Sequence, residues 1–184
     1  RLPDAGERAE SILNEMIKGG LTGDDTIAPD INSYTLAIKA WGQGTARGFE
    51  NRAQAIFDQV LLQMEQQDSN ESSAAGGRIR NNNNIIRPNG ETYNAILACW
   101  LKSKENGALT KVTCHLKKME QMYLDNHNNN DGNAHSNHHK HSDAKPDRVT
   151  MNSVMTALCR SGELERAVQL QNRMEDVYKI VPDT

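Results

Sequence analysis

Three stretches of this chain begin on a proline and then repeat one spacing of apolar residues, and that recurrence limits the fold more than any other feature. They are PDINSYTLAIKAWG from Pro29, PNGETYNAILACWL from Pro88 and PDRVTMNSVMTALC from Pro146. Apolar residues fall at offsets 0, 3, 4 and 7 in each: Tyr34, Ala37, Ile38 and Trp41; Tyr93, Ile96, Leu97 and Trp100; Met151, Val154, Met155 and Leu158. This spacing draws one stripe along an α-helix, and three copies of it are hard to obtain from unrelated amphipathic windows. The proline punctuates the chain. Ser33, Thr92 and Thr150 then stand where a hydroxyl can cap a helix start by accepting from first-turn amides.

A second helix is expected after each first one. Its apolar residues are Ala53, Ile56, Phe57 and Val60; then Val112, Leu116 and Met119; then Ala167, Leu170 and Met174. The small residue matters because two helices approach closely only where one side chain is short. Ala9, Ile12, Leu13 and Met16 supply a second helix with no first one before it, as in a truncated repeat. A single hairpin cannot bury its stripe alone, so hairpin must stack on hairpin. The expected fold is all-α, an α-solenoid of stacked antiparallel helical hairpins.

The prolines at 146 and 182 are closely spaced, whereas those at 29, 88 and 146 are further apart. The excess lies in QQDSNESSAAGGRIRNNNN and HNNNDGNAHSNHHKHSD, polar tracts without period that cannot bury enough surface to offset ordering entropy. The organisation is therefore 1–28, half a repeat and linker; 29–66, first repeat; 67–86, disordered insertion; 87–124, second repeat; 125–144, disordered insertion; 145–184, third repeat. Shorter additions at 44–48 and 103–107 lengthen the turns inside two hairpins. The chain starts at Arg1 in mid-pattern and stops just after a Pro-Asp pair, and so reads as an excerpt of a longer protein.

A formal charge of −3 and a pI near 6.1 leave no overall cationic surface, so any nucleic-acid binding must use local cations. Cys99, Cys114 and Cys159 are odd in number and lie in helical patterns; they are expected to be reduced, buried small apolar residues in an intracellular protein. No run reaches the roughly 18 apolar residues of a membrane helix. His127, His135, His138, His139 and His141 are potential metal ligands, but they sit in an Asn-rich tract with no Cys partner, and no metal is expected.

The segments PDRVTMNSVMTALCRSGELERAVQLQNRM, RPNGETYNAILACW and APDINSYTLAIKAW closely resemble the pentatricopeptide-repeat family. The best instance runs from Arg148 to Asp183, with a Cys-Arg-Ser-Gly turn at 159–162 and Glu165-Arg166-Ala167 opening the second helix. The Trp, Leu-Gly and Tyr signature of tetratricopeptide repeats is missing. The resemblance implies a right-handed superhelix that binds single-stranded RNA, one base per hairpin, in a mitochondrion or chloroplast and without a cofactor.

It also implies which residues face the bases: the one after the Tyr or Met that opens the stripe, and the one after the proline of the next repeat. These are Thr35 with Asn89, Asn94 with Asp147, and Asn152 with Asp183. An Asn amide carries a donor and an acceptor, and a neighbouring carboxylate can fix which way it points. In the family Thr with Asn favours adenine and Asn with Asp favours uracil, so the implied readout is 5′-A-U-U-3′. An aliphatic residue that wedges the base corresponds to Val149, while Asn32 and Glu91 stand in its place in the first two hairpins. Phosphate-contacting cations correspond to Lys102 and Arg160, with Gln43 in the first hairpin.

No catalytic constellation is present: there is no Gly-rich phosphate loop, HExxH, GxSxG or CxxC. The expectation is a binding protein rather than an enzyme. Two alternatives stand beside it. One is a scaffold that holds protein partners in a helical groove; the other is the RNA-binding arm of a metal-dependent nuclease whose catalytic domain lies outside these residues.

Overall fold

The computed structural model describes residues 4–21, 27–44, 46–73, 86–128 and 144–179, apart from the side chains at 68, 70–73 and 126–128. Seven α-helices account for the regular structure of these residues: α1 (Ala5–Leu21), α2 (Ile31–Gln43), α3 (Phe49–Ser73), α4 (Gly90–Lys102), α5 (Ala108–Asn128), α6 (Arg148–Arg160) and α7 (Leu164–Asp176). The fold is all-α, as the stripes require. It divides into two compact units, Arg1–Pro88 and Asn89–Thr184.

In the first unit α2 packs against both α1 and α3. In the second, the α4–α5 hairpin stacks on the α6–α7 hairpin, with α6 touching both α4 and α5. The stripes form these seams. Tyr34, Ala37, Ile38 and Trp41 are buried on α2, and Tyr93, Ile96, Leu97 and Trp100 on α4. On α6, Met151, Val154 and Leu158 are buried while Met155 is half-buried. The second helices bury every anchor predicted for them, from Ala53 and Phe57 to Leu170 and Met174. Polar atoms within the seams find partners: Gln63 Nε2 on α3 donates to the Tyr34 hydroxyl at 2.7 Å. Burial raises the pKa of that phenol, against the lowering effect of Gln63, and pushes Tyr93 up to about 12.

The first helices are each 13 residues long, and each starts the same way. Asp30, Asn89 and Asp147 accept from the backbone N–H of Ser33, Thr92 and Thr150 at 2.8, 2.9 and 2.7 Å. The hydroxyls of Ser33, Thr92 and Thr150 accept in return from the cap residue's own N–H, each at 3.4 Å. The residue after the proline is therefore the cap. The Ser and Thr hydroxyls, expected to serve the first-turn amides, instead complete a reciprocal capping box from inside the first turn. Each hairpin turn ends on a glycine with positive φ: Gly48 at 74°, Gly107 at 90° and Gly162 at 77°. A side chain would be strained at that angle, so glycine lets turns of different length deliver the second helix to the same seam.

Two elements run past the boundaries that composition suggests. Helix α3 continues to Ser73 rather than stopping at 66, and α5 to Asn128 rather than 124. A helix already nucleated by a packed stripe gains one backbone hydrogen bond for each residue it adds, which carries α3 through Gln67 to Ser73 and α5 through Asp125 to Asn128 although most of these residues are only modest helix formers. Residues 74–85 and 129–143, which hold most of the two expected insertions and four of the five clustered histidines, lie outside the described residues. The cysteine expectation is corrected at two positions. Cys99 is buried, but Cys114 and Cys159 are exposed, because each falls on the outer side of its helix beside inward-facing neighbours.

The N-terminal helix also differs in detail. Leu13 is buried, but Ile12, assigned to its stripe, is 59% exposed. The helix docks through Gly6, where a Cβ would lie 2.5 Å from Cδ2 of Trp41, and through Glu10, which accepts from Trp41 Nε1 at 2.9 Å. Arg52 of α3 pairs with the same carboxylate and lies 5.9 Å from the Trp41 ring. Among the described residues no helix is long and apolar enough to cross a membrane.

Candidate functional site

The residues singled out by resemblance fall at the N-terminal ends and along the first helices of the hairpins, where the reciprocal caps are built. In the second unit two of them meet. Asn94, the fifth residue of α4, is half-buried, and its Nδ2 donates to Asp147 Oδ2, the cap of α6, at 3.2 Å. The other oxygen of Asp147 is committed to its own helix, accepting the Thr150 backbone N–H at 2.7 Å. The Thr150 hydroxyl in turn lies within hydrogen-bonding distance of Asn94 Oδ1. One carboxylate thus caps its helix with one oxygen and holds the amide of the preceding hairpin with the other.

The side chain two residues after this cap, Val149, is 67% exposed. An aliphatic group left open to water beside polar groups that converge on one point is a surface on which a flat ligand can lie. Asn32 and Glu91, which occupy the same register before α2 and α4 turn inward, are exposed and polar.

Further along α6, Asn152 and Arg160 line one cleft of about 500 Å³. Its floor includes Trp100, which is only 3% exposed, and its rim includes Thr156 and Ser161. Lys111 of α5 lies 5.9 Å from the Trp100 ring centroid. Lys102 and Arg160 are the last residues of α4 and α6 and are both exposed, so each cation stands where the partial negative charge of a helix C-terminus favours it.

The remaining assigned positions are placed differently. Thr35 is 3% exposed, and its hydroxyl donates to the Ile31 carbonyl of its own helix at 2.8 Å. Asn89 caps α4: its Oδ1 accepts from the Thr92 amide and hydroxyl, both at 2.9 Å. Asp183 lies outside the described residues. At Asp30, burial raises the carboxyl pKa, but the Ser33 hydroxyl and amide and the Asn32 side chain outweigh it and leave the value below its ordinary 3.8.

The residue missed by reading the sequence for function is Thr150. The sequence marks it only as a capping hydroxyl, because a contact between hairpins 56 residues apart leaves no local pattern. No group of three or more His, Cys, Asp or Glu side chains that could hold a metal occurs among the described residues. Neither a curated protein nor a solved structure matches the chain. Residues 142–175, which contain the cap Asp147, all of α6 and most of α7, match the family model of the PPR repeat, and the chain carries a pentatricopeptide repeat there.

Proposed function

We propose that this chain binds single-stranded RNA through its hairpins and that the Asn94–Asp147 pair reads one base. The observation that supports this best is the 3.2 Å hydrogen bond by which the α6 cap holds a half-buried amide of the preceding hairpin. An Asn so held keeps one N–H and one carbonyl lone pair for a ligand, the complement of a Watson–Crick edge. The exposed Val149 offers an apolar face against which the base can lie. Lys102 follows Asn94 by eight residues, and Arg160 follows Asn152 by the same interval, placing a cation about 12 Å along each helix axis for the phosphate backbone.

The sum of these contacts is modest. Stacking and edge contacts supply about 1 to 3 kcal/mol per base, before ordering costs, so a few hairpins bind RNA weakly. The pentatricopeptide register gives uracil opposite Asn94 and again opposite Asn152, whereas Thr35, to which it assigns an adenine, is 3% exposed with its hydroxyl bonded to its own helix. Organellar transcripts are the family's usual targets and the setting in which we place this reading.

The test is equilibrium binding of the chain to labelled RNA containing AUU, with a salt titration and matched RNAs that vary the central base. Preference for uracil there, shifting toward guanine in Asn94→Thr, is the expected result. Absence of binding at low salt sinks the RNA reading, and an unchanged base preference in the variant rejects the assigned face.

A further inference from the structure

We propose that Asn106, in the turn between α4 and α5, is a site of spontaneous deamidation, which the same dipeptide at Asn89 escapes because it caps a helix.

The sequence holds two Asn-Gly pairs, Asn89-Gly90 and Asn106-Gly107. The chemistry open to such a pair is intramolecular. The backbone nitrogen of the glycine, on losing its proton, attacks Cγ of the asparagine; the new N–C bond closes a cyclic imide, and the side-chain nitrogen leaves as ammonia. Water then opens the imide at either carbonyl, giving aspartate or isoaspartate. The net change is hydrolysis of an amide to an acid with release of ammonia, and water is the sole co-reactant. Glycine suits the step because no Cβ shields its nitrogen and its backbone rotates with little hindrance.

Ring closure needs rotation about both Cα–C and Cα–Cβ of the asparagine, and the two pairs differ in what opposes it. At Asn89, Oδ1 accepts from the backbone N–H and the hydroxyl of Thr92, both at 2.9 Å, and Thr92 is buried. The backbone N–H of Asn89 donates back to the same hydroxyl at 3.4 Å. Gly90 is the first residue of α4, so bringing its nitrogen to Cγ would undo the capping box and swing the start of the helix.

Asn106 and Gly107 are both exposed. They are the central residues of a turn spanned by the hydrogen bond from the Ala108 N–H to the Glu105 carbonyl at 3.2 Å. The φ of 90° at Gly107 is the one a type II turn requires at that position. A Cβ built on Gly107 would meet no heavy atom within 4 Å, so rotation there disturbs a turn and not a packed seam.

The product carboxylate stands directly before α5, where the partial positive charge of a helix N-terminus favours it, so the hairpin tolerates the aspartate. Ser103 and Ala108, which flank the turn, line the same cleft as Arg160. Deamidation therefore adds a negative charge near the cation of that cleft, and the isoaspartate form also adds a methylene to the main chain of the turn.

The experiment incubates the full chain at mildly alkaline pH, folded and in guanidinium chloride, and maps it with trypsin and mass spectrometry. Asn106 then lies in the peptide Glu105–Lys111 and Asn89 in the peptide ending at Lys102. In the folded chain Asn106 should convert about five- to thirtyfold faster than Asn89, the factor set by the cap that must open first at Asn89. In denaturant the two rates should converge. Asn106→Gln, whose longer side chain would have to close a larger ring, should abolish the change in the Glu105–Lys111 peptide. An Asn106 that stays unmodified in the folded chain, or converts no faster than Asn89, overturns the proposal. A difference in rate that persists in guanidinium chloride belongs to the neighbouring residues and not to the fold, and overturns the protection assigned to the cap.

Discussion

The two units carry a tryptophan at the same place in the repeat and surround it differently. In the first unit Trp41 is closed over by α1: Gly6 lies against the ring face, Glu10 accepts the indole N–H, and Arg52 sits 5.9 Å from the ring. In the second unit Trp100 is equally buried, yet it forms the floor of a cleft of about 500 Å³ whose wall is α6 with Asn152 and Arg160. The residues after the opening aromatic differ in parallel. Thr35 turns its short side chain back onto Ile31 of its own helix, whereas the longer Asn94 reaches the cap of the next hairpin. Identical stripes therefore guarantee identical helices, but the neighbours determine whether a helix face is sealed by packing or left able to receive a ligand.

The contrast breaks most visibly at Gly6. A Cβ there would meet Cδ2 and Cε3 of Trp41 at 2.5 and 2.7 Å, and the ring is tethered through Glu10 and so cannot simply swing away. Gly6→Val should destabilise the first unit by about 1 to 3 kcal/mol, the usual cost of overpacking a filled site. Denaturant unfolding read on the α1 and α2 amides measures it. Thr156→Val, on the rim of the open cleft, should stay within about 0.5 kcal/mol of wild type. Equal effects at the two positions would show that the closed and open tryptophans do not differ in packing.

A smaller effect separates the caps by function rather than by stability. Asp30→Ala and Asp147→Ala should each cost about 1 kcal/mol, since each removes the side-chain acceptor for an N3 amide. Only Asp147 also holds an amide of the preceding hairpin, so only its replacement should erase the preference for uracil opposite Asn94. A change of base preference in both variants, or in neither, removes the distinction drawn between the two units.

What could be read from the residues follows the same division. The offsets of the stripes located α2, α4 and α6 and nearly every buried anchor, because helical periodicity is written locally and repeated three times. The docking of α1 was not legible, since its key contact is made by Gly6, a residue that adds nothing to an apolar stripe, and by Glu10, which reads as surface. Ile12 looked like core for the opposite reason: it is apolar and in register, yet no neighbour lies over it closely enough to bury it. Helices α3 and α5 run on to Ser73 and Asn128 because polarity ends a stripe without ending a helix. At the candidate site, the Asn94–Asp147 pairing came from family resemblance, while the third member, Thr150, needed the fold to bring α4 and α6 together.

The smallest expected effect concerns pH, and it has opposite signs in the two units. Glu120 of α5 is buried, which raises its pKa; Arg173, whose Nη1 lies 3.2 Å from Oε2, together with the Tyr178 hydroxyl and Lys117, pulls it down, and the result stays above the ordinary 4.5. A raised value means that the folded unit prefers the protonated acid. The stability this carries is complete below the unfolded-state pKa and is lost as pH rises through the folded one. Arg173 is half-exposed, so its ion pair is screened and returns little of the loss. At Asp30 the shift is downward, and the stability present above 3.8 is lost as pH falls through the folded value. Acidification from neutral toward pH 4 should therefore favour the second unit through Glu120, and still lower pH should weaken the first through Asp30. Stability measured against pH should lose its slope above 4.5 in Glu120→Gln and its low-pH fall in Asp30→Asn. A Glu120→Gln chain that loses stability relative to wild type as pH rises would show that the buried carboxylate gains more from Arg173 than burial takes from it.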